Sequence, residues 1–316
     1  MAVATITAAN TTTEANTEAY MIRKNVLVDD ASARKYIDGI KKLKDPARFP
    51  WAGQDGLSIY DVFVFWHHQS MMLMTPPSQA DRNAAHSGPS FLTWHRYFLL
   101  RLEGFLQQAV EDTAFRLPYW DWSADADLPN PGTSPLWDMT RLGQFIGTAW
   151  EVRLAMDPRT GNLQRVSRRL QRNQGRAGAL PTRDQVRDVL RQEAAYDVRP
   201  FNSSSPGGLR NRLEGWVGPA AIHNNVHVWV GGDMGLSSSP NDPVFFLHHA
   251  NLDRVWASWQ EQHDAGSYAP DQTASTALQF HRVDDPLYSI FDEQVTSRDM
   301  LAYRTHYEYD ALVNIA

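Results

Sequence analysis

The 316-residue chain contains no cysteine, which excludes disulfide bonds, thiolate metal ligands and sulfur nucleophiles. It has no apolar run near the roughly 20 residues that a membrane-spanning helix needs. It lacks a basic excess as well. Thirty Lys and Arg stand against 36 Asp and Glu, a net charge of −6, which argues against a general nucleic-acid binder. Residues 1–19 are rich in Thr, Ala and Asn and have no charged stretch followed by an apolar one. They read as a flexible N-terminal tail rather than a secretory signal. The rest, 20–316, reads as a single domain: no repeat is present, and the Pro/Gly/Ser-rich connections at 127–135, 202–208 and 231–240 are too short for interdomain linkers. Absence of cysteine fits either redox compartment, so the sequence assigns no location, and it assigns no oligomeric state.

What the chain does have is histidine in two groups. Eight of its eleven histidines are His67, His68, His86 and His95 in the first, and His223, His227, His248 and His249 in the second. Each group can supply three imidazoles, which suggests two metal ions facing each other across a buried pocket. Imidazole suits zinc, copper, iron and nickel alike, so ligand type alone does not choose the metal.

Periodicity places these residues mainly on helices. Apolar spacing predicts helices over 31–43, 58–72, 90–110, 182–195, 213–230 and 242–262. In the third, Phe91, His95, Phe98 and Leu102 fall on one stripe, so His95 faces inward. Thr182 is an N-cap, and Asp242 followed by Pro243 starts the last helix. Because both histidine groups lie on helices that must meet, the expected fold is mainly α, one domain built round a four-helix core.

His223 and His227 are four apart, one turn along a single helix face, where they can chelate one ion. A zinc protease would need Glu directly after the first His; Asn224 stands there instead. The pattern does not decide which of His67 and His68, or of His248 and His249, points inward. His86 sits in a polar loop, where an isolated histidine is usually solvated.

Longer motifs carry a resemblance. Asp81-Arg82-Asn83-Ala84-Ala85-His86, Ser90-Phe91-Leu92-Thr93-Trp94-His95-Arg96 and Leu117-Pro118-Tyr119-Trp120-Asp121-Trp122 resemble the first copper region of the tyrosinases. Leu213-Glu214-Gly215, His223 to Trp229 and Asn241 to Arg254 resemble the second, and the likeness runs from about Tyr20 to Tyr307-Glu308-Tyr309. The resemblance, nearest to compact bacterial members, implies a dinuclear copper site inside the helical core. It implies His67, His86 and His95 on one copper ion and His223, His227 and His249 on the other, with dioxygen as co-substrate. The implied activity is ortho-hydroxylation of small monophenols and oxidation of o-diphenols to o-quinones, as in pigment formation. Alternatives are a catechol or o-aminophenol oxidase without monophenol activity and, more remotely, an oxygen carrier of hemocyanin type.

The same resemblance implies that Glu214 and Asn224 hold a water that deprotonates an incoming phenol, and that Val228 and Ser237 help to select it. Copper delivery, or export without a signal, would fall to a separate partner protein. Thr93 stands where proline is common in the family, and no C-terminal shielding domain is expected after Asp310. Met71, Met72 and Met74 read as core or pocket wall rather than a copper-loading site, and the basic stretch 153–176 as a solvated helix-and-loop face. His263, His281 and His306 receive no ligand role, and the tryptophans near the histidines are expected to pack around a dry pocket.

Overall fold

The structure, a computed structural model, describes residues 21–147, 150–218, 220–263 and 267–315. The tail expected at 1–19 lies outside the described residues. The fold is mostly helical: α1 Asp30–Lys44, α2 Ile59–Met72, α3 Phe91–Val110, α4 Trp122–Asp125, α5 Arg183–Gln192, α6 Leu209–Glu214, α7 Ile222–Val230 and α8 Val244–Gln260.

Local chemistry sets most boundaries. Asp29 caps α1 by accepting from the Ser32 amide at 2.7 Å, and Lys41, Lys42 and Lys44 occupy its last turn, where the helix dipole favours cations. Asp61 in the first turn of α2 accepts from both the amide and the hydroxyl of Ser58 (2.9 and 2.8 Å). Buried Lys44 reaches the same carboxylate at 2.5 Å, which ties the end of α1 to the start of α2. Thr182 caps α5 as expected.

α8 is buried at every position, although it carries His248, His249, Asn251, Asp253 and Arg254. Polar groups on such a helix need partners. Asp253 has four: Arg96 Nε at 2.6 Å, Arg23 at 3.5 Å, and the hydroxyls of Tyr307 and Tyr309. The Arg96–Asp253 pair locks α3 against α8. Two-residue strands β1 Ile22–Arg23 and β4 Glu308–Tyr309 pair in parallel, bringing Arg23 and Tyr309 to this cluster from opposite ends of the described chain.

Two expectations are corrected. The helix expected over 213–230 is broken into α6 and α7, because Gly215 ends α6 at φ 106° and a Cβ there would lie 3.0 Å from the Ala221 backbone. The stretch 153–176 is not a helical face. Glu151–Met156 and Leu163–Arg169 form an antiparallel hairpin, β2–β3, with the even-numbered Val152 and Leu154 buried on one side.

Candidate metal centre

Five segments deliver the histidines. α2 supplies His67, the connection before α3 supplies His86, and α3 supplies His95; α7 carries His223 and His227, and α8 carries His248 and His249. The ligand atoms of His67, His86 and His95 lie within 4.8 Å of one another, and so do those of His223, His227, His248 and His249. The two groups face each other. The His95 and His249 rings stack with centroids 4.2 Å apart and planes 6° from parallel, and the His86 and His223 rings are 6.0 Å apart.

Hydrogen bonds at one nitrogen determine what the other can do. The Nδ1 atoms of His67, His95 and His227 lie 2.7, 2.8 and 2.7 Å from the carbonyl oxygens of Ser237, Phe91 and Met234. A carbonyl only accepts, so these rings carry hydrogen on Nδ1 and present a bare lone pair at Nε2. His223 Nδ1 donates in the same way to Asn224 Oδ1 at 2.9 Å. The Nε2 atoms of His67, His95 and His223 are buried without a protein partner, as are Nδ1 of His86 and Nδ1 of His249. His227 Nε2 and His249 Nε2 lie 3.4 Å apart.

Burial keeps these rings neutral. It holds His67 down to about 3 and His227 down to about 4, against an ordinary value of 6.5. His86, His95, His223 and His249 are held well below it by the same burial, reinforced by neighbouring imidazoles. Orphaned lone pairs on buried neutral imidazoles are costly without a cation and well suited to one. Neither group includes a carboxylate. Such an all-imidazole donor set fits copper, whose two oxidation states both accept nitrogen ligands.

The groups open onto a cavity of about 510 Å³ lined by His67, His86, His223 and His227 together with Glu214, Asn224, Val228 and Ser237, while His95 and His249 lie behind its wall. Glu214 lies on its wall, fully buried, accepting from the Ser87 amide at 2.5 Å and from Arg210 at 3.2 Å. Burial raises its carboxyl, and Arg210 opposes the rise. Asn224 lines the same wall, with its amide oxygen on His223 and its Nδ2 at 3.4 Å from Gly215 O, long for a hydrogen bond. Val228 is 45% exposed at the mouth. Ser237 is buried, with its carbonyl on His67 and its hydroxyl on His68 Nδ1 at 2.8 Å.

Sequence reasoning missed Trp216, which is 49% exposed and also lines the cavity. Nothing in the pattern marks a tryptophan for the surface. It missed as well the carbonyls of Phe91 and Met234, since any residue supplies one. Met71 lines this cavity, and half-exposed Met72 lines another beside His68. His68 is turned to Ser237, away from the first group. His248 is fully buried with neither ring nitrogen bonded and stacks 5.3 Å from His223. The tryptophans pack as expected: Trp66, Trp94, Trp120, Trp122, Trp229 and Trp256 are all buried.

Comparison with known proteins gives a consistent picture. A family profile described as the common central domain of tyrosinase matches residues 57–262. Over 302 residues the chain is 37% identical to a tyrosinase of Streptomyces glaucescens, covering 92% of this chain and 98% of the relative. It is 30% identical to the grixazone synthase of Streptomyces griseus, covering 92% and 99%. Among solved structures, the fold resembles a tyrosinase from Burkholderia thailandensis, with TM-score 0.60 and 16% identity, covering 94% of this chain and 75% of that one. It also resembles a functional unit of octopus hemocyanin, with TM-score 0.56 and 22% identity, covering 92% and 68%.

Proposed function

The chain belongs to the tyrosinase family, and from that premise we propose that it is a type 3 copper oxidase that hydroxylates small monophenols at the ortho position and oxidises o-diphenols to o-quinones. The observation that carries this reading is the pair of facing histidine groups, all-imidazole, buried and neutral, with unpartnered nitrogens turned inward. His67, His86 and His95 would hold one ion and His223, His227 and His249 the other, inside a four-helix core of α2, α3, α7 and α8. Residues 20–316 act as one domain around it.

When bound, the copper pair supplies dioxygen activation and the electron transfer of the oxidation. The remaining work falls to the chain. The carbonyls of Ser237, Phe91 and Met234 and the side-chain oxygen of Asn224 hold His67, His95, His227 and His223 in the tautomer that offers the Nε2 lone pair. The tryptophan-packed core keeps bulk water from the rings. Trp216 and Val228 flank the entrance through which a phenol ring passes. Glu214 takes the phenolic proton through a water shared with Asn224 Nδ2. A carboxylate has about four acceptor positions, so its bonds to Ser87, Arg210 and the Trp216 side chain leave one for that water.

An oxygen carrier would need its site closed to phenols. Among the described residues, the cavity opens between half-exposed Trp216 and Val228, which supports turnover. The test is copper analysis followed by oxygen uptake with tyramine and with catechol. Two coppers per chain and quinone from both substrates are expected. Quinone from catechol alone would establish a diphenol oxidase, and turnover of neither would overturn the enzymatic reading.

A further inference from the structure

His86 comes from a segment between α2 and α3 with no helix of its own, whose one regular feature is a bridge between Met74 and Asn83. Asn83 organises its centre, accepting from the amides of Ala85 at 3.1 Å and His86 at 2.7 Å. Its two ends are held elsewhere. Thr75 Oγ1 lies 2.7 Å from Nε2 of His281, and Ser90 Oγ lies 3.0 Å from Nδ1 of the same ring.

This ring is fully buried, and each of its nitrogens has a hydroxyl partner. The Ser90 hydroxyl donates to Ala84 O at 3.2 Å, so its oxygen accepts from His281 Nδ1–H. Nε2 is then the bare nitrogen and accepts from the Thr75 hydroxyl. One neutral imidazole satisfies both ends of the segment, with no nitrogen left over. Gly88 makes the approach possible, since a Cβ there would lie 2.7 Å from His281 Cε1 and 3.0 Å from Nδ1. The ring is itself anchored: the Tyr268 hydroxyl donates to His281 O at 2.9 Å, and the His281 amide donates to Leu278 O at 2.9 Å.

We propose that His281 is a positioning residue for the metal centre, a clamp that joins Thr75 to Ser90 and thereby holds His86 at the first histidine group. The proposal rests on the copper reading above. His281 acts through the backbone it closes: with both ends released the segment keeps its bonds at Arg82, Ala84 and Ser87 but gains freedom on either side of them, and His86 would meet the ion in a smaller share of its conformations.

The test uses the full chain carrying Thr75→Val together with Ser90→Ala, which removes both partners of the ring and leaves His281 in place. Ser90 makes no side-chain capping bond to α3, so the helix start should survive. Copper per chain, copper release to a chelator, the electron paramagnetic resonance spectrum and the thermal midpoint of the metal-free protein are compared with the unaltered chain. The expected result is selective: one of the two ions is released about 10- to 100-fold more readily, as for loss of groups that orient a ligand. The remaining Cu(II), no longer coupled to a neighbour, becomes visible by resonance, while the metal-free midpoint moves by no more than a few degrees. His281→Asn in the otherwise unaltered chain, which keeps a donor toward Ser90, should retain more copper than the double variant. Two ions held as in the unaltered chain would overturn the proposal, and equal weakening of both would do so too, since it would indicate general loosening. Should the double variant not fold, Gly88→Ala displaces the ring by one methyl group and is read in the same way. An unaltered chain that binds fewer than two coppers would overturn the copper reading itself, an outcome distinct from failure of the clamp.

Discussion

His95 on α3 and His249 on α8 stack face to face, 4.2 Å between ring centroids, a closer approach between the two histidine groups than the 6.0 Å of His86 and His223. Its neighbours explain how it is held. Arg96 follows His95, Asp253 lies one turn beyond His249, and the two form a buried ion pair at 2.6 Å. The pair fixes the register of α3 on α8, and the register brings the rings together.

Asp253→Asn should therefore be severely destabilising. The carboxylate is held below its usual range by Arg96 and Arg23 despite its burial; neutralising it leaves buried Arg96 without a carboxylate, while Arg23 keeps only Glu103 at 3.1 Å. Breaking a buried pair on one side costs about 3–5 kcal/mol. Urea unfolding of the metal-free protein measures it, and a loss under roughly 1 kcal/mol would show that the cluster is dispensable.

His248 and His249 are adjacent, buried and near the same partners, yet they should differ in effect. His249→Ala is expected to leave about one copper per chain and to abolish catechol oxidation, whereas His248→Ala keeps both ions. Elemental analysis of the purified variants decides between them. The reverse pattern would transfer the ligand role to His248.

Glu214→Gln should separate the two activities. Hydroxylation of tyramine is expected to fall about 100-fold or more, in the range for loss of a general base, with catechol oxidation nearly unchanged. Arg210 keeps its bidentate partner Asp197, so the fold should tolerate the change. Equal loss of both activities would refute the proton-transfer role.

Acid should unfold the metal-free protein before copper-loaded protein. Burial holds His67 at about 3 and His227 at about 4, while in the unfolded chain both titrate near 6.5. Below that ordinary value the unfolded state takes up protons that the folded state refuses. Stability is thus full above pH 6.5 and falls toward pH 4, by roughly 1 kcal/mol per pH unit for each ring. Copper binds only the neutral rings and should move the transition to lower pH. Tryptophan fluorescence during acid titration follows it; a midpoint indifferent to copper would contradict the argument.

Much of the centre was legible in the sequence because helical periodicity is local. The four-residue step from His223 to His227 and the apolar stripe through His95 depend only on the 3.6-residue turn. The helices themselves, the cap at Thr182 and the absence of cysteine ligands followed from residues close together in the chain. The hairpin at 151–169 was obscured by its many arginines, and the break at Gly215 by the apolar pattern that continues across it.

Contacts between distant segments were decided only in three dimensions. Ser237 orients His67 across 170 positions, Asp253 gathers tyrosines from the far end of the chain, and His281 closes a segment some 200 residues away. The sequence determined that two sets of imidazoles, all but His86 on helices, would lie with the apolar faces of those helices inward. The tertiary structure decided that Nε2 is the free nitrogen of His67, His95, His223 and His227, because a tautomer follows from its hydrogen-bond partner, and that partner comes from wherever the folded chain happens to pass.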